Sequence, residues 1–263
     1  MKWLTKLNEV TENIRQHPNN ANFRLEMVQY LCMLGDWERS LKQLEQFQKL
    51  FPQKDPILVH YLLNQIEAEV RRSGVLSANY KPLSLVQNDQ LDQILIQQLS
   101  LLTWIIEDNI EYIISSFTQL SEGVPEYAAT LSYFNNVKIT EPWLMDGDAR
   151  TAFVCEIFWH GQYCWLPWHI IHSITFQPPK SLLDTIWRGA DILLCNGKRF
   201  QAVLPVRYGF ITGTTYSDAQ LACNETAWHK IIDDLHLGLG QKMLFGKQDE
   251  YSLLDLKEVV FEA

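Results

Sequence analysis

Partway along the chain the spacing of apolar residues changes from the helical period to the strand period. That change limits the fold to one in which helices come first and a sheet follows. Up to about residue 120, apolar positions recur every three or four residues. From about Thr151 they gather into short runs separated by turn dipeptides. His160-Gly161 lies between Val154-Cys155-Glu156-Ile157-Phe158-Trp159 and Gln162-Tyr163-Cys164-Trp165-Leu166. Asn196-Gly197 lies between residues 191–195 and 198–204, and it predicts a hairpin with a type I′ turn because both residues tolerate positive φ.

In the helical part, Phe23, Met27, Tyr30, Leu31 and Leu34 form one stripe, with Asn20 placed to cap it. Gly35-Asp36 interrupts the stripe, and Trp37, Leu41, Leu44, Phe47 and Leu50 form the next, which Pro52 stops. Pro18 and Pro52 stand 34 residues apart, each closing one helix before another begins. A helix–turn–helix unit of that period is the length of a tetratricopeptide repeat. The alternative is an ordinary helical bundle whose prolines share the spacing by coincidence. Residues 3–16 and 56–72 supply the flanking helices. Roughly three repeats are needed for such an array to stand alone, and only about two hairpins are present, so these helices must lean on the rest of the chain. After a break at 74–86, Leu91, Leu95, Leu99, Leu102 and Ile106 predict one long helix over 89–119.

The strand-rich part carries an internal echo. Residues 171–176 and 256–261 both read apolar-x-x-apolar-x-Phe, the second after a candidate hairpin at 246–249. The expected fold is therefore α+β in two parts. Residues 1–120 form a TPR-like helical domain. Residues 121–263 form a mixed, mainly antiparallel domain, a small barrel or curled sheet with a few helices. The boundary falls at about 121–150.

Charge narrows the partners. Lys plus Arg is 22 and Asp plus Glu is 31, a net charge of −9. With no basic run, nucleic acid is excluded as the expected partner, and an anionic membrane surface is disfavoured. The first nine residues break any apolar run at once, unlike a signal peptide. The apolar stretch at 101–106 falls far short of the roughly 20 residues that span a bilayer, so the expected location is the cytoplasm. The five cysteines (Cys32, Cys155, Cys164, Cys195 and Cys223) include no Cys-x-x-Cys pair, and they read as reduced, partly buried small side chains.

The motifs of catalysis are missing. There is no Gly-x-Ser-x-Gly, no His-Glu-x-x-His and no phosphate-cradling glycine loop. Cys155, His160, Cys164, His169 and His172 collect metal-type ligands, yet only His169-x-x-His172 has ligand spacing, and the two cysteines sit among core residues. Asp146-Gly147-Asp148 reads as an acidic turn leading into the first strand rather than as an acid/base pair. The expectation is a protein that is not an enzyme and has no cofactor or metal.

Several segments in order resemble the ImpE family, also called TagJ or SciE-type proteins. They are Phe23-Arg24-Leu25, the run Leu31-Cys32-Met33-Leu34-Gly35-Asp36-Trp37-Glu38-Arg39-Ser40-Leu41, Trp143, and Asp148-x-Arg150. Gly161-x-Tyr163-x-Trp165-x-Pro167, Ile174-x-Phe176, Leu183-x-x-x-Trp187, Leu204-Pro205-x-Arg207-Tyr208 and Leu239-Gly240-Gln241-x-Met243-Leu244 continue the series. The least matched stretch is about 74–140. The resemblance implies a type VI secretion accessory protein, an adaptor between the small contractile-sheath subunit and the AAA+ unfoldase that recycles sheath.

Helix-in-groove recognition would suit such a role. Tyr30 and Trp37 are the candidate partner-binding residues, with packing between the two helices of their hairpin as the plainer reading. Arg150, Trp187, Arg188 and Arg207 sit at or beside family positions, and a buried Arg pairing the acidic turn explains them as well as binding does. Two rival functions remain. One is a TPR-type chaperone for a secreted effector. The other is a metal-dependent enzyme using the Cys155/His169/His172 region.

Overall fold

Residues 2–85, 89–232 and 234–262 are described by a computed structural model, with backbone alone at 89–92. Two sequence expectations, Val86 in the break and the Leu91 side chain in the apolar row, lie outside the described residues.

Four helices follow one another, each packed on the next: α1 (Lys2–Gln16), α2 (Ala21–Leu34), α3 (Trp37–Leu50) and α4 (Pro56–Leu76). Asn20 caps α2 as expected, and Asp36 and Asp55 cap α3 and α4 in the same way. The Asn20 side chain accepts from Asn22 N, the Asp36 side chain from Arg39 N and the Asp55 side chain from Leu58 N, satisfying amides that have no partner inside the helix. Gly35 closes α2 with φ +74°, and a Cβ there would stand 2.2 Å from the Phe210 ring. Conformation and crowding both demand glycine at this turn.

The long helix expected over 89–119 is instead a helical hairpin of α5 (Asp89–Ile106) and α6 (Ile110–Gly123). Asp108 adopts a left-handed φ of 54°, and the Asn109 side chain caps the new helix at Tyr112 N. The chain therefore turns, and Trp104 stacks on Tyr112 at 4.6 Å. An apolar row of period four continues through such a turn without registering it.

Between the hairpins lies the short β1 (Leu83–Ser84). The remaining strands are β2 (Ala129–Tyr133), β3 (Lys138–Glu141), β4 (Met145–Asp146), β5 (Val154–Trp159), β6 (Gln162–Pro167), β7 (Ile171–Phe176), β8 (Trp187–Leu194) and β9 (Arg199–Pro205). A short α7 (Asp218–Leu221) precedes β10 (Thr226–Ile232), β11 (Leu235–Gly240), β12 (Met243–Phe245), β13 (Glu250–Ser252) and β14 (Leu256–Phe261). Nine strands pair in the order β1-β6-β5-β9-β8-β7-β14-β2-β3, antiparallel throughout except β1 on β6. The expected small barrel is not formed. The sheet is open, ending at β1 and β3.

The two echo strands are neighbours, with Val259 opposite Ile174. The hairpin at 246–249 joins β12 to β13. His160 and Gly161 both take positive φ, the type I′ pattern, whereas at Asn196-Gly197 only Gly197 does. There the Asn196 side chain accepts from Lys198 N, and β8 and β9 are joined by the four residues 195–198. The hairpin is present but its turn is longer than the two-residue form. Alternate residues are buried along β8, while β5 is buried at five consecutive positions because α4 lies against it. One apolar core runs from Trp3 and Leu31 through Ile66 to Trp165 and Leu256, joining α1–α4 to the large sheet.

Candidate functional site

Where α4 meets the sheet, charged side chains are buried together. Glu69 and Arg72 project from one face of α4, Glu156 comes from the middle of β5, and Lys242 precedes β12. Arg72 Nε donates to Glu156 Oε1 at 2.7 Å and Nη2 to Oε2 at 3.0 Å, a fork matched to a carboxylate. Lys242 Nζ reaches Glu156 Oε2 at 2.7 Å and also donates to Asp146. The Tyr163 hydroxyl donates to Glu156 and accepts from Trp165 Nε1 at 2.6 Å, while Trp187 Nε1 donates to Glu69 at 3.0 Å.

Beside this cluster the Asp146–Asp148 turn is buried too. Arg150 Nη2 donates to Asp148 Oδ2 at 2.5 Å and to Gly209 O at 3.0 Å. Gly238 N donates to Asp148 as well. The acidic turn thus has the buried arginine partner that the sequence allowed. The aromatic and arginine positions that carry the family resemblance in the second half, Tyr163, Trp165, Trp187 and Arg150, gather at these two groups.

Electrostatics tie the cluster together. Burial alone would raise the Glu156 carboxyl, but the Arg72 and Lys242 charges outweigh it and hold it well below the usual carboxylate range. Asp146 moves the other way, raised by burial and by Asp148 and Glu156, with Lys242 opposing. Arg72 and Lys242 are raised because their acidic neighbours overcome the burial that disfavours charge. Perturbed groups of this kind mark functional sites or structural ion networks. Here each charged group meets an opposite charge, so the cluster suits holding α4 on the sheet better than moving a proton.

Two further arginines are buried without a carboxylate. Arg207 donates to Met33 O (2.7 Å), Leu221 O (2.8 Å) and Cys32 O (3.0 Å), taking up carbonyls at the end of α2. Its guanidinium lies over Phe210 at 4.7 Å and Trp37 at 5.7 Å. Arg188 donates to Gln177 O, Leu253 O and Leu256 O, and burial lowers it to about 10.

Both candidate partner-binding residues are buried. Tyr30 lies against Trp3, its hydroxyl donating to Glu26 at 2.5 Å. Trp37 packs against Trp187 at 5.9 Å and Phe210 at 6.5 Å, where α3 meets the strand-rich part. The Cys155/His169/His172 region does not come together as a ligand set. Cys155 is buried in β5 with its thiol pushed up by burial, His169 lies in a short turn, and His172 is exposed on β7. Among the described residues no three His, Cys, Asp or Glu side chains form a metal-holding group. Sequence reasoning missed Glu69, Arg72, Glu156 and Lys242. Its one available signal was Glu156, a carboxylate inside an otherwise apolar strand.

Residues 140–260 match the family described as ImpE protein. It is similar to a Pseudomonas aeruginosa protein named Type VI secretion system accessory component TagJ, 29% identical over 97% of this chain and 86% of that one. In fold it resembles a crystal structure of a Vibrio parahaemolyticus protein, with TM-score 0.86 and 22% identity, covering 100% of this chain and 98% of the other. The α+β architecture with leading helices is thereby seen in a second protein. Among the described residues no helix is long and apolar enough to cross a membrane.

Proposed function

We propose that this chain is a non-enzymatic adaptor of a type VI secretion system, resident in the cytoplasm, that holds the small contractile-sheath subunit for the AAA+ unfoldase recycling contracted sheath. The accessory role rests on the similarity to TagJ over nearly the whole chain, which is the observation that carries the reading. The helical hairpins support the finer part. Consecutive packed helices in a TPR-like arrangement offer a partner helix a face without requiring reactive groups. Tyr30 and Trp37 enter this proposal as buried residues that shape that face from beneath. Apolar side chains left in water on the helices, Ile57, Ile106, Ile110 and Ile114, are its candidate contacts.

The test is an affinity capture of tagged protein from its own cells, with mass spectrometry of what co-purifies. Recovery of the small sheath subunit, with or without the unfoldase, is the expected result. Recovery of neither while the secretion system is expressed overturns the sheath link. Capture of several unrelated effectors would transfer the reading to an effector chaperone.

A further inference from the structure

The interior of β8 holds a glycine that the backbone does not ask for. Gly189 stands opposite Val203 in a β8–β9 pairing that runs from Trp187 to Leu193 without a register shift, so no bulge needs it. Its φ lies outside the left-handed region, and a Cβ added there would meet nothing closer than Gln177 Cγ at 3.6 Å, an ordinary contact. Glycine weakens the interior of a strand, and such a position often marks the close approach of a ligand. The space that Gly189 leaves open belongs to a cleft of about 300 Å³ between α4 and strands β5, β8 and β9, at the lower end of the range for ligand sites.

The lining names what fits. Asp191 is half-buried there and forms no ion pair among the described residues. Its carboxylate is held from both sides: Gln177 Nε2 donates to Oδ2 at 3.1 Å and Gln201 Nε2 to Oδ1 at 3.2 Å. All three residues line the cleft, and both glutamines are exposed, so these groups are open to a ligand. The two bonds spend amide donors and leave the amide oxygens, which accept no hydrogen bond among the described residues. Each carboxylate oxygen also keeps a lone pair. The cleft therefore offers acceptors around one negative charge, beside the rings of Tyr61 and Trp159, and no lysine or arginine lines it. We propose that it is a binding site for a guanidinium group, which forks onto the Asp191 carboxylate. A planar set of N–H donors meets a carboxylate and neighbouring carbonyl oxygens at once, and its flat face stacks on aromatic rings. An ammonium is a compact, strongly hydrated charge and gains less from either. The site stands independently of the secretion reading. Its occupant is the arginine side chain of a polypeptide or a free guanidino compound, and these share the chemistry.

Calorimetric titration of the full chain with N-acetyl-argininamide, and with the citrulline analogue that keeps its shape but carries no charge, tests the site. Saturable binding of the arginine probe is expected, tighter than that of the citrulline probe by roughly tenfold or more, the worth of a charge-assisted bond. It should weaken as salt rises, and N-acetyl-lysinamide should bind less tightly than the arginine probe. Asp191→Asn should bring the arginine probe down to the level of citrulline. Gly189→Val should abolish binding of every probe while the melting temperature holds or rises, because valine suits a strand better than glycine. Absence of saturable binding, equal binding of the arginine and citrulline probes, or full binding in either variant overturns the proposal. A lysine probe that binds as well as arginine overturns the choice of guanidinium. Free arginine separates the sources: tighter binding than the capped probe points to a small molecule, and weaker binding points to a side chain within a polypeptide.

Discussion

The molecule holds two helical blocks against strands by different means. The block α1–α4 is fastened through buried charge: Arg72 forks onto Glu156, and Arg207 reaches carbonyls of α2. The hairpin α5–α6 has no such ionic fastening among its described contacts. Its buried Gln98 donates to Ala149 O and Arg150 O and accepts from Phe153 N, a small core of Ile94, Leu101, Ile113, Leu120 and Phe153 lies beneath it, and Leu95 and Leu102 reach the main core. It also leaves Ile96, Ile106, Ile110, Tyr112 and Ile114 in water. Buried ion pairs tolerate little displacement, because a separated charge in the interior is costly. Apolar contacts and one amide tolerate more. The first block is therefore the frame, and the second is the part with surface and latitude to spare.

The sharpest way to break this contrast is Glu156→Gln, which removes the carboxylate shared by Arg72 and Lys242 and leaves them only Glu69 and Asp146. Losing one partner of a buried ion network costs about 3–5 kcal/mol, read as a shifted denaturation midpoint at unchanged slope. A loss below about 1 kcal/mol would mean that the cluster behaves like a surface pair. Arg207→Met should come next, at about 1–3 kcal/mol, since it leaves the buried carbonyls of Met33 and Leu221 without that donor.

Acid should act through the same frame. The folded-state pKa of Glu156 lies below its ordinary 4.5, so its stabilisation is complete above that value and is lost as pH falls through the carboxylate range and below. Asp146 is raised and contributes the opposite sign, favouring the fold when protonated and losing that contribution as pH rises through its folded value. Stability measured from pH 6 downward should fall by up to about 1.4 kcal/mol per pH unit for each extra proton taken up on unfolding. Glu156→Gln should flatten that slope, and an unchanged slope would move the origin of acid sensitivity elsewhere.

Gln98→Leu should cost about 1–2 kcal/mol, yet exchange of amide hydrogens should quicken in α5–α6 and stay unchanged in α1–α4. Quickening in both would show that the two blocks open as one. The smallest effect on stability belongs to Ile110→Asp with Ile114→Asp, within about 0.5 kcal/mol for exposed sites. If this hairpin touches the partner, capture of the sheath subunit should nonetheless fall.

How much of this was legible in the sequence depended on the range of the cause. The cap at Asn20, the turn at Gly35-Asp36 and the hairpins around 160 and 246 are set by neighbours within a few residues, and they were readable. The break at Asp108 was not, because an apolar row of period four continues smoothly across it. The four-residue turn at 195–198 misled because Asn-Gly chemistry serves two turn geometries. One edge of the sheet is made by Leu83–Ser84 pairing with Cys164 and Trp165, a partnership that no local pattern announces. The cluster was hidden for the same reason: Arg72 and Glu156 are separated by 84 residues. Trp37 looked like a groove residue only while Trp187 and Phe210 were out of view.

The bonds from Arg207 to the end of α2 span 174 and 175 residues of chain. During synthesis the first four helices are complete long before that arginine has been made. Until it arrives, the Met33 carbonyl at the end of α2 lacks its donor, and Phe210 is not yet there to cover the Trp37 side chain. Long-range closure of this kind is slow and comes late, and exposed apolar surface during the wait invites aggregation or capture by chaperones. A chain whose synthesis stops before Arg207 therefore lacks the residues that lock α2 and α3 in place.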